Sequence, residues 1–348
     1  MTTDEPRTDP TRRAGVRQVA ERAGVALSSV SRVLSGHPDV SELMRHRVLD
    51  AVAALGYEPD HLAQSLRRGA SMTVGYVVGD ISNPLTAQIA LGAETALRRA
   101  GYSLLLVNST SDPDLDAQHI RLLRQRRTDG LLLAMADERH AATIAELERY
   151  PGPCVLVDRV CAKLPRASGV HSDHRAGLSA AVEHLYRLGH RHIALVNGDP
   201  RVLPARERAA VLRRFARGVP DLEVTVRPGG FTAAHGRDAT AALLAGGAGR
   251  PTAVIAGGNQ ILPGVLAAVR AAGLTVPTDL SLVTCDQVAL VEFLRPPLAT
   301  VTRDLGDLGE VAAALLLERL SGRARRRVTL PTGFRADHSC APPPKRPT

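Results

Sequence analysis

"VRQVAERAGVALSSVSRVLSG" (residues 16–36) is the stretch on which the reading of this chain turns. Two short helical patterns, 16–23 and 27–34, are separated only by Gly24, Val25 and Ala26, the length of a helix-turn-helix turn. Ala20 and Ala23 are small where two helices must approach, and Gly24 permits a left-handed turn residue. Val25, Val30 and Val33 supply an apolar inner face to the second helix. Its other face presents Leu27, Ser28, Ser31 and Arg32, short or cationic groups able to enter a major groove. Spacing alone leaves two readings open: a DNA-reading pair, or an ordinary helical hairpin.

Charge sharpens the choice locally rather than globally. The chain carries +9 over 348 residues, yet only two of its 44 cations are lysines, Lys163 and Lys345, an arginine bias of genomic character. Residues 1–70 hold ten Arg against nine acids, so bulk charge does not mark the amino-terminal region. Residues 11–35 do stand out, with Arg12, Arg13, Arg17, Arg22 and Arg32 against Glu21 alone, where phosphate contacts would be useful. The later run Arg323, Arg325, Arg326, Arg327 reads as a solvated loop before the last strand.

Outward from the opening stretch, residues 1–14 form a polar arm expected to be disordered. A third helix is expected from the Ser41 N-cap to Gly56, with Leu43, Val48, Leu49, Val52 and Leu55 on its apolar stripe, completing a domain over 15–58. Residues 59–71, opening with Pro59 and holding Gly69, allow about two turns of helix, too few to be stable without a partner. From residue 72 the period changes. Short, almost continuously apolar runs at 73–78, 103–108, 129–135, 153–158, 192–197, 251–257 and 280–286 alternate with helix-length amphipathic stretches at 84–100, 114–127, 139–149, 173–188, 203–216 and 259–272. Runs apolar on both faces are what parallel, doubly covered sheets require. With a break near 158–172, the body over 72–340 reads as two doubly wound lobes with a cleft between them, followed by a tail at 341–348.

Several classes of function find no support. The amino terminus has no apolar run of signal-peptide length, and no segment approaches the ~18 apolar residues of a membrane span, so a cytoplasmic protein is expected. Cys154, Cys161, Cys285 and Cys340 form no C-x-x-C pair or metal spacing and read as reduced thiols. There is no P-loop, G-x-G-x-x-G, G-x-S-x-G or H-E-x-x-H, and His171, His174, His184, His190 and His192 form no ligand set, so surface or capping roles are expected for them. Neither an enzyme, a metal nor a cofactor is indicated. A transport solute receptor would share a bilobed body but would carry a signal peptide and no helical headpiece.

Residues 16–68, "VRQVAERAGV…" through "…HLAQSLR", resemble the headpiece and hinge of the lactose/galactose repressor (LacI/GalR) family of bacterial transcription factors. "TVGYVVGDISNP", "LVDR", "HLYRLGHRHIALVNG", "LSLVTCD" and "PPLATV" resemble its body, a bilobed periplasmic-binding-protein-like fold. The resemblance covers about residues 14–339 and implies a homodimer that binds a pseudo-palindromic operator, usually as a repressor. It places base-reading positions on Leu27 and Ser28, with Ser29, Ser31 and Arg32 alongside, and a phosphate contact on Arg17. It implies that the hinge segment coils on DNA, with Leu66 wedged into a minor-groove step, Ala63 the small neighbour where two hinges meet, and His61 beside them. Gly15 and Ala26 stand where the family often has Thr or Ser; Ala at an N-cap costs about 1 kcal/mol and a hydroxyl donor.

The same resemblance implies a small-molecule effector site between the lobes at Asn83, Asp158, Arg159, Arg208, Asn259 and Asp286, a set suited to polyols because arginine forks donate while Asp and Asn accept. The pattern departs at Leu85 and Thr86, where an aromatic pair often follows Asn-Pro, at Gly258, and at Val211. Aromatic residues make up only 3% of the chain, with no Trp, which is poor for stacking on sugars. A sugar, another small metabolite, and a pocket that has lost its ligand all remain open.

Overall fold

In the computed structural model the described residues are 14–34, 36–57, 69–287 and 293–344. They form two units, one amino-terminal to Ser71 and one from Met72 onward.

The first unit has three helices, α1 (Val16–Ala23), α2 (Leu27–Leu34) and α3 (Glu42–Leu55). Gly24 has φ +62° and ends α1, while the Gln18 side chain accepts from the Gly15 amide at 2.7 Å, so a residue without a side chain still caps the helix. Ser41 Oγ accepts from the Met44 amide and Gly56 ends α3 with φ +56°. Val19, Val30 and Val48, one from each helix, are fully buried together. The stripe expected on α3 is corrected: Leu43 and Leu49 are exposed, and the buried face is Val48 and Ala51, flanked by Met44, Val52 and Leu55. Residues 44, 48, 51, 52 and 55 follow helical spacing, whereas 49 lies ~100° round from 48.

The second unit holds two six-stranded sheets. The first lobe contains β1 (Thr73–Val78), α4 (Pro84–Arg99), β2 (Ser103–Asn108), α5 (Pro113–Gln125), β3 (Gly130–Ala134), α6 (Ala141–Glu148), β4 (Cys154–Val157) and β5 (Ser168–Ser172). The second contains α7 (Ala176–Arg187), β6 (His192–Val196), α8 (Leu203–Gly218), β7 (Glu223–Arg227), α9 (Ala233–Leu244), β8 (Ala253–Ala256), α10 (Leu262–Ala271), β9 (Ser281–Cys285) and β10 (Ala299–Arg303). The chain then returns to the first lobe with α11 (Leu305–Leu320) and β11 (Arg327–Leu330), and crosses back as β12 (Thr332–Arg335). Strand orders are β11-β5-β4-β3-β1-β2 and β12-β10-β9-β8-β6-β7.

The expectation of two parallel sheets needs one correction, because β12 pairs antiparallel with β10. Only one residue separates β11 from β12, so the chain leaves β11 at the carboxyl ends of the first sheet, enters the second lobe from that same cleft side, and must run against β10. Three connections thus cross between lobes, at 172–176, 303–305 and 330–332, and they are bonded to one another: the Asp173 amide donates to Leu330 O at 2.7 Å and the Gly177 amide to Thr332 Oγ1 at 2.9 Å. Among the histidines, for which surface or capping roles were expected, His174 and His190 are buried rather than at the surface. His190 bonds Thr252, Ser281 and the Ala341 carbonyl, pinning the carboxyl-terminal segment to the sheet edge, and burial pushes its pKa down to about 4.

Helices α4 and α11 cover one face of the first sheet and touch backbone to backbone, since a Cβ on Gly309 would lie 2.0 Å from the Ile89 carbonyl oxygen and one on Gly92 2.2 Å from that of Gly306. Gly309→Ala should therefore lower stability by about 3 kcal/mol, at the upper end for overpacking, read as a lower urea midpoint with an unchanged slope.

Candidate ligand cleft and DNA-reading helix

In the first unit, α2 buries Val30 and Val33 and turns its other side to solvent. Leu27 is 46% exposed, Ser28, Ser31 and Arg32 are exposed, Ser29 is half-buried, and Arg17 is exposed on α1. An exposed leucine at a helix start beside short hydroxyl side chains is an unfavourable surface for water and a suitable one for base edges and thymine methyls. His61, Ala63 and Leu66 lie outside the described residues.

In the second unit, parallel strands direct their carboxyl ends at the gap between lobes, and all six expected effector residues line one cavity of about 150 Å³ there: Asn83, Asp158, Arg159, Arg208, Asn259 and Asp286. Asp158 follows β4 and Asp286 follows β9, in equivalent places of the two lobes. Both have left-handed backbones, φ +50° and +73°, and each amide makes a last rung to the neighbouring strand, with Val170 O at 2.9 Å and Val301 O at 3.0 Å. Aspartate tolerates that conformation better than most residues, and it turns the carboxylates inward.

What those carboxylates meet is a residue that sequence reasoning missed. Arg303, at the end of β10 where the chain crosses between lobes, donates to Asp286 Oδ1 at 2.5 Å, to Ser172 Oγ at 3.2 Å and, through a close ion pair, to Asp158 Oδ2. Arg208 completes the cluster, with Nη1 2.5 Å from the Gly257 carbonyl oxygen and Nη2 3.4 Å from Asp286. Burial alone would raise the Asp158 carboxyl, but Arg303, His174 and the Ser172 amide outweigh it and hold it well below the usual carboxylate range. Asp286 is likewise lowered against its burial by Arg303 and Arg208. His174, 3.4 Å from Asp158, is pushed down by burial and stays neutral near pH 7. Arg159 is turned aside, donating to Met135 O at 2.5 Å and to its neighbour's carbonyl oxygen at 2.8 Å.

Two further clasps join the lobes. The Asn83 carboxamide caps α4 through the Leu85 amide and also accepts from Asn259 at 2.9 Å, while Gln260 bonds Asp80 at 2.6 Å. On the other side, buried Glu138 is ion-paired with Arg206 and accepts from the Leu203 amide at 2.7 Å. Phe231 places a ring on the cleft wall and fits because Gly198 leaves space: a Cβ there would be 1.9 Å from it, whereas one on Gly258 would be a tight 3.1 Å away. Gly258, a departure from the family pattern in the sequence, thus lies close against this ring. Asp80, Glu138, Gln260 and Arg303 carried no local signal, since their partners are distant in the chain.

Residues 16–60 match the bacterial regulatory proteins of the lacI family, and residues 182–340 match the periplasmic binding protein-like domain. The ribose operon repressor of Escherichia coli (strain K12) is 34% identical over 315 residues, 88% of this chain and 93% of the repressor. The chain belongs to the LacI family. As a LacI-family member it is a DNA-binding transcriptional regulator, which sets the transport-receptor alternative aside. Its fold matches the Lac repressor dimer bound to operator and an anti-inducer with TM-score 0.84 and 26% identity, over 95% of this chain and 100% of that one. A LacI-family regulator from Enterococcus faecium with bound ribose matches with TM-score 0.66 and 26% identity, over 78% of this chain and 99% of that one. Among the described residues no helix is long and apolar enough to cross a membrane, and no group of His, Cys, Asp and Glu is placed to hold a metal ion.

Proposed function

We propose that this chain is a cytoplasmic, homodimeric repressor that binds a pseudo-palindromic operator, releases or tightens on it in response to a small effector in the interlobe cleft, and acts by binding without a catalytic step. The observation that carries the reading is the exposed amino-terminal end of α2 on a helix whose inner valines are buried. Leu27, Ser28 and Arg32 would read base edges or phosphates, with Ser29, Ser31 and Arg17 supporting them, and the roles of His61, Ala63 and Leu66 in the hinge rest on the family resemblance alone.

For the effector, cavity size and donor chemistry together favour a compact polyol. A cavity of about 150 Å³ has room for a molecule near benzene in size, so a pentose fits with slight opening and a disaccharide does not. Asp158, Asp286, Arg208 and Asn259 would exchange hydroxyl bonds, with Phe231 against one sugar face. Ribose, seen bound in the Enterococcus faecium relative, is the first candidate. Such a ligand would change DNA affinity only to the extent that it binds two lobe arrangements unequally.

The test is footprinting on DNA flanking the chain's own gene, repeated with ribose and other pentoses. Protection of a symmetric site, altered by one pentose, is the expected outcome. Arg208→Ala should abolish that response and leave apo DNA affinity within about twofold, because Arg303 still neutralises Asp286. Protection that no pentose alters would favour a cleft filled by its own Arg303 ion pairs.

A further inference from the structure

We infer that the edge of the first lobe at which the body begins is a second, sequence-independent DNA surface, which takes the phosphate backbone of duplex flanking the operator. This inference rests on the DNA-binding reading above and adds a site to it.

All six strands of the first sheet run parallel, so their amino-terminal ends share one edge, opposite the cleft. The body begins on this edge, where the Met72 amide donates to Asp129 Oδ2 at 2.9 Å just before β1. The segments that form the edge, 98–103, 124–130, 146–154, 163–168 and 318–327, hold thirteen basic side chains and four acidic ones. That excess equals the +9 of the entire chain, so the remaining residues carry no net charge in sum.

Three of the four acids are already engaged, and Glu148 is exposed without an ion pair among the described residues. Glu146 is buried and paired with Arg121, Arg124 and Arg149 at 3.0, 3.4 and 3.1 Å. Glu318 is taken by Arg326 at 3.1 Å and Arg323 at 3.8 Å, and Asp129 by the Met72 amide. Arg126, Arg127, Lys163, Arg166, Arg325 and Arg327 are all exposed and make no ion pair among the described residues. Helix dipoles account for part of the pattern, because α4, α5, α6 and α11 end on this edge and cations at helix carboxyl ends are stabilised. They do not account for Lys163, Arg166, Arg325 or Arg327, which lie in no helix.

A patch of unpaired cations, nearly all arginine and diluted only by Glu148, repels itself and has its natural counterpart in a polyanion, to whose phosphates guanidinium forks are matched. Duplex DNA is favoured over an anionic membrane because the same chain carries a DNA reader whose tether ends at this edge. Residues 58–71 span no more than about 50 Å even when extended, so a duplex gripped by α2 is held at high effective concentration for these cations.

The experiment uses the full chain and a random-sequence duplex of about 60 base pairs, following binding by fluorescence anisotropy over a range of salt concentrations. The variant carries Arg126→Gln, Lys163→Gln, Arg166→Gln and Arg325→Gln, four exposed positions without partners, so its unfolding midpoint should match the parent's. At roughly 0.9 per phosphate contact, its slope of log K against log salt should be shallower by about 3, with affinity at about 50 mM salt reduced tenfold or more. An unchanged slope would overturn the inference, as would a variant that loses affinity for phosphatidylglycerol vesicles while its DNA slope stays the same. A parent chain that binds no duplex at all would instead be a failure of the DNA-binding reading itself.

Discussion

Replacing Arg303 by methionine should destabilise the body by about 3–5 kcal/mol, because removing one member of a buried ionic cluster strands its partners in a medium that cannot solvate them. Arg303, Asp158 and Asp286 are each less than a tenth exposed, and the arginine joins both carboxylates. The pH dependence separates charge from packing. In the parent chain both carboxyls are held below their unfolded values, so their stabilisation is complete above about pH 4 and is lost only as acid drives them through the lowered folded values. Without Arg303, burial is left to raise Asp158, whose remaining neighbour His174 is itself kept neutral, while Asp286 keeps Arg208 at 3.4 Å. The sign then reverses for Asp158: the penalty is greatest near neutrality and shrinks as the carboxyl protonates. Urea unfolding should therefore show the gap between the two chains narrowing between about pH 7 and pH 4. A gap constant over that window would mean that Arg303 contributes packing alone.

Ser28→Glu should reduce operator affinity by about 100-fold while leaving the headpiece as stable as before. Ser28 is exposed in the first turn of α2, which has no acidic residue there, so a carboxylate at that end is mildly favoured by the helix dipole, by about 0.3–1 kcal/mol. Folding is thus no obstacle. Against DNA the same carboxylate removes a hydroxyl donor and faces phosphates and acceptor-rich base edges, which together cost about 3 kcal/mol. Thermal unfolding of the variant and its binding to the footprinted site form the decisive pair of measurements. Normal unfolding with normal binding would move the reading surface away from this end of α2.

The two cases differ in how much could be read in advance. Gly24, Ser41 and Gly56 announced the ends of α1 and α3 because capping is chemistry between residues three or four apart. Strands such as TVGYVV and HIALVN, buried on both faces, were legible as unbroken apolar runs. Four strands were not, β5 (SGVHS), β7 (EVTVR), β10 (ATVTR) and β12 (TGFR), and β11 (RVTL) was expected only as a last strand after the arginine run; all five are short and polar or alternating. β7, β11 and β12 lie at sheet edges, where one neighbour is missing and the apolar requirement relaxes. Helices α9 and α11 were also missed, the first because AAHGRDATAALL has a weak stripe, the second because its glycines reflect contact with α4 rather than a local break.

For the site, residue identity and resemblance together indicated the six cleft positions, and the fold gathers all six around one cavity. Their state is another matter. That Asp158 and Asp286 share Arg303, that Arg159 turns aside to a carbonyl, and that Gly198 makes room for Phe231 could not be seen in the chain as written. Asp158 and Arg303 are 145 residues apart, and Arg208 and Asp286 are 78 apart. The sequence by itself determined the helical reader, the alternating α/β body and the place where the chain changes from one to the other, because periodicity and capping act within a few residues. Only the tertiary structure decided which charges neutralise which, how the cleft is closed and where the excess cations collect. Those outcomes depend on distances and burial that arise when the three crossings between the lobes bring remote strand ends together, and electrostatic energy follows separation in space rather than along the chain.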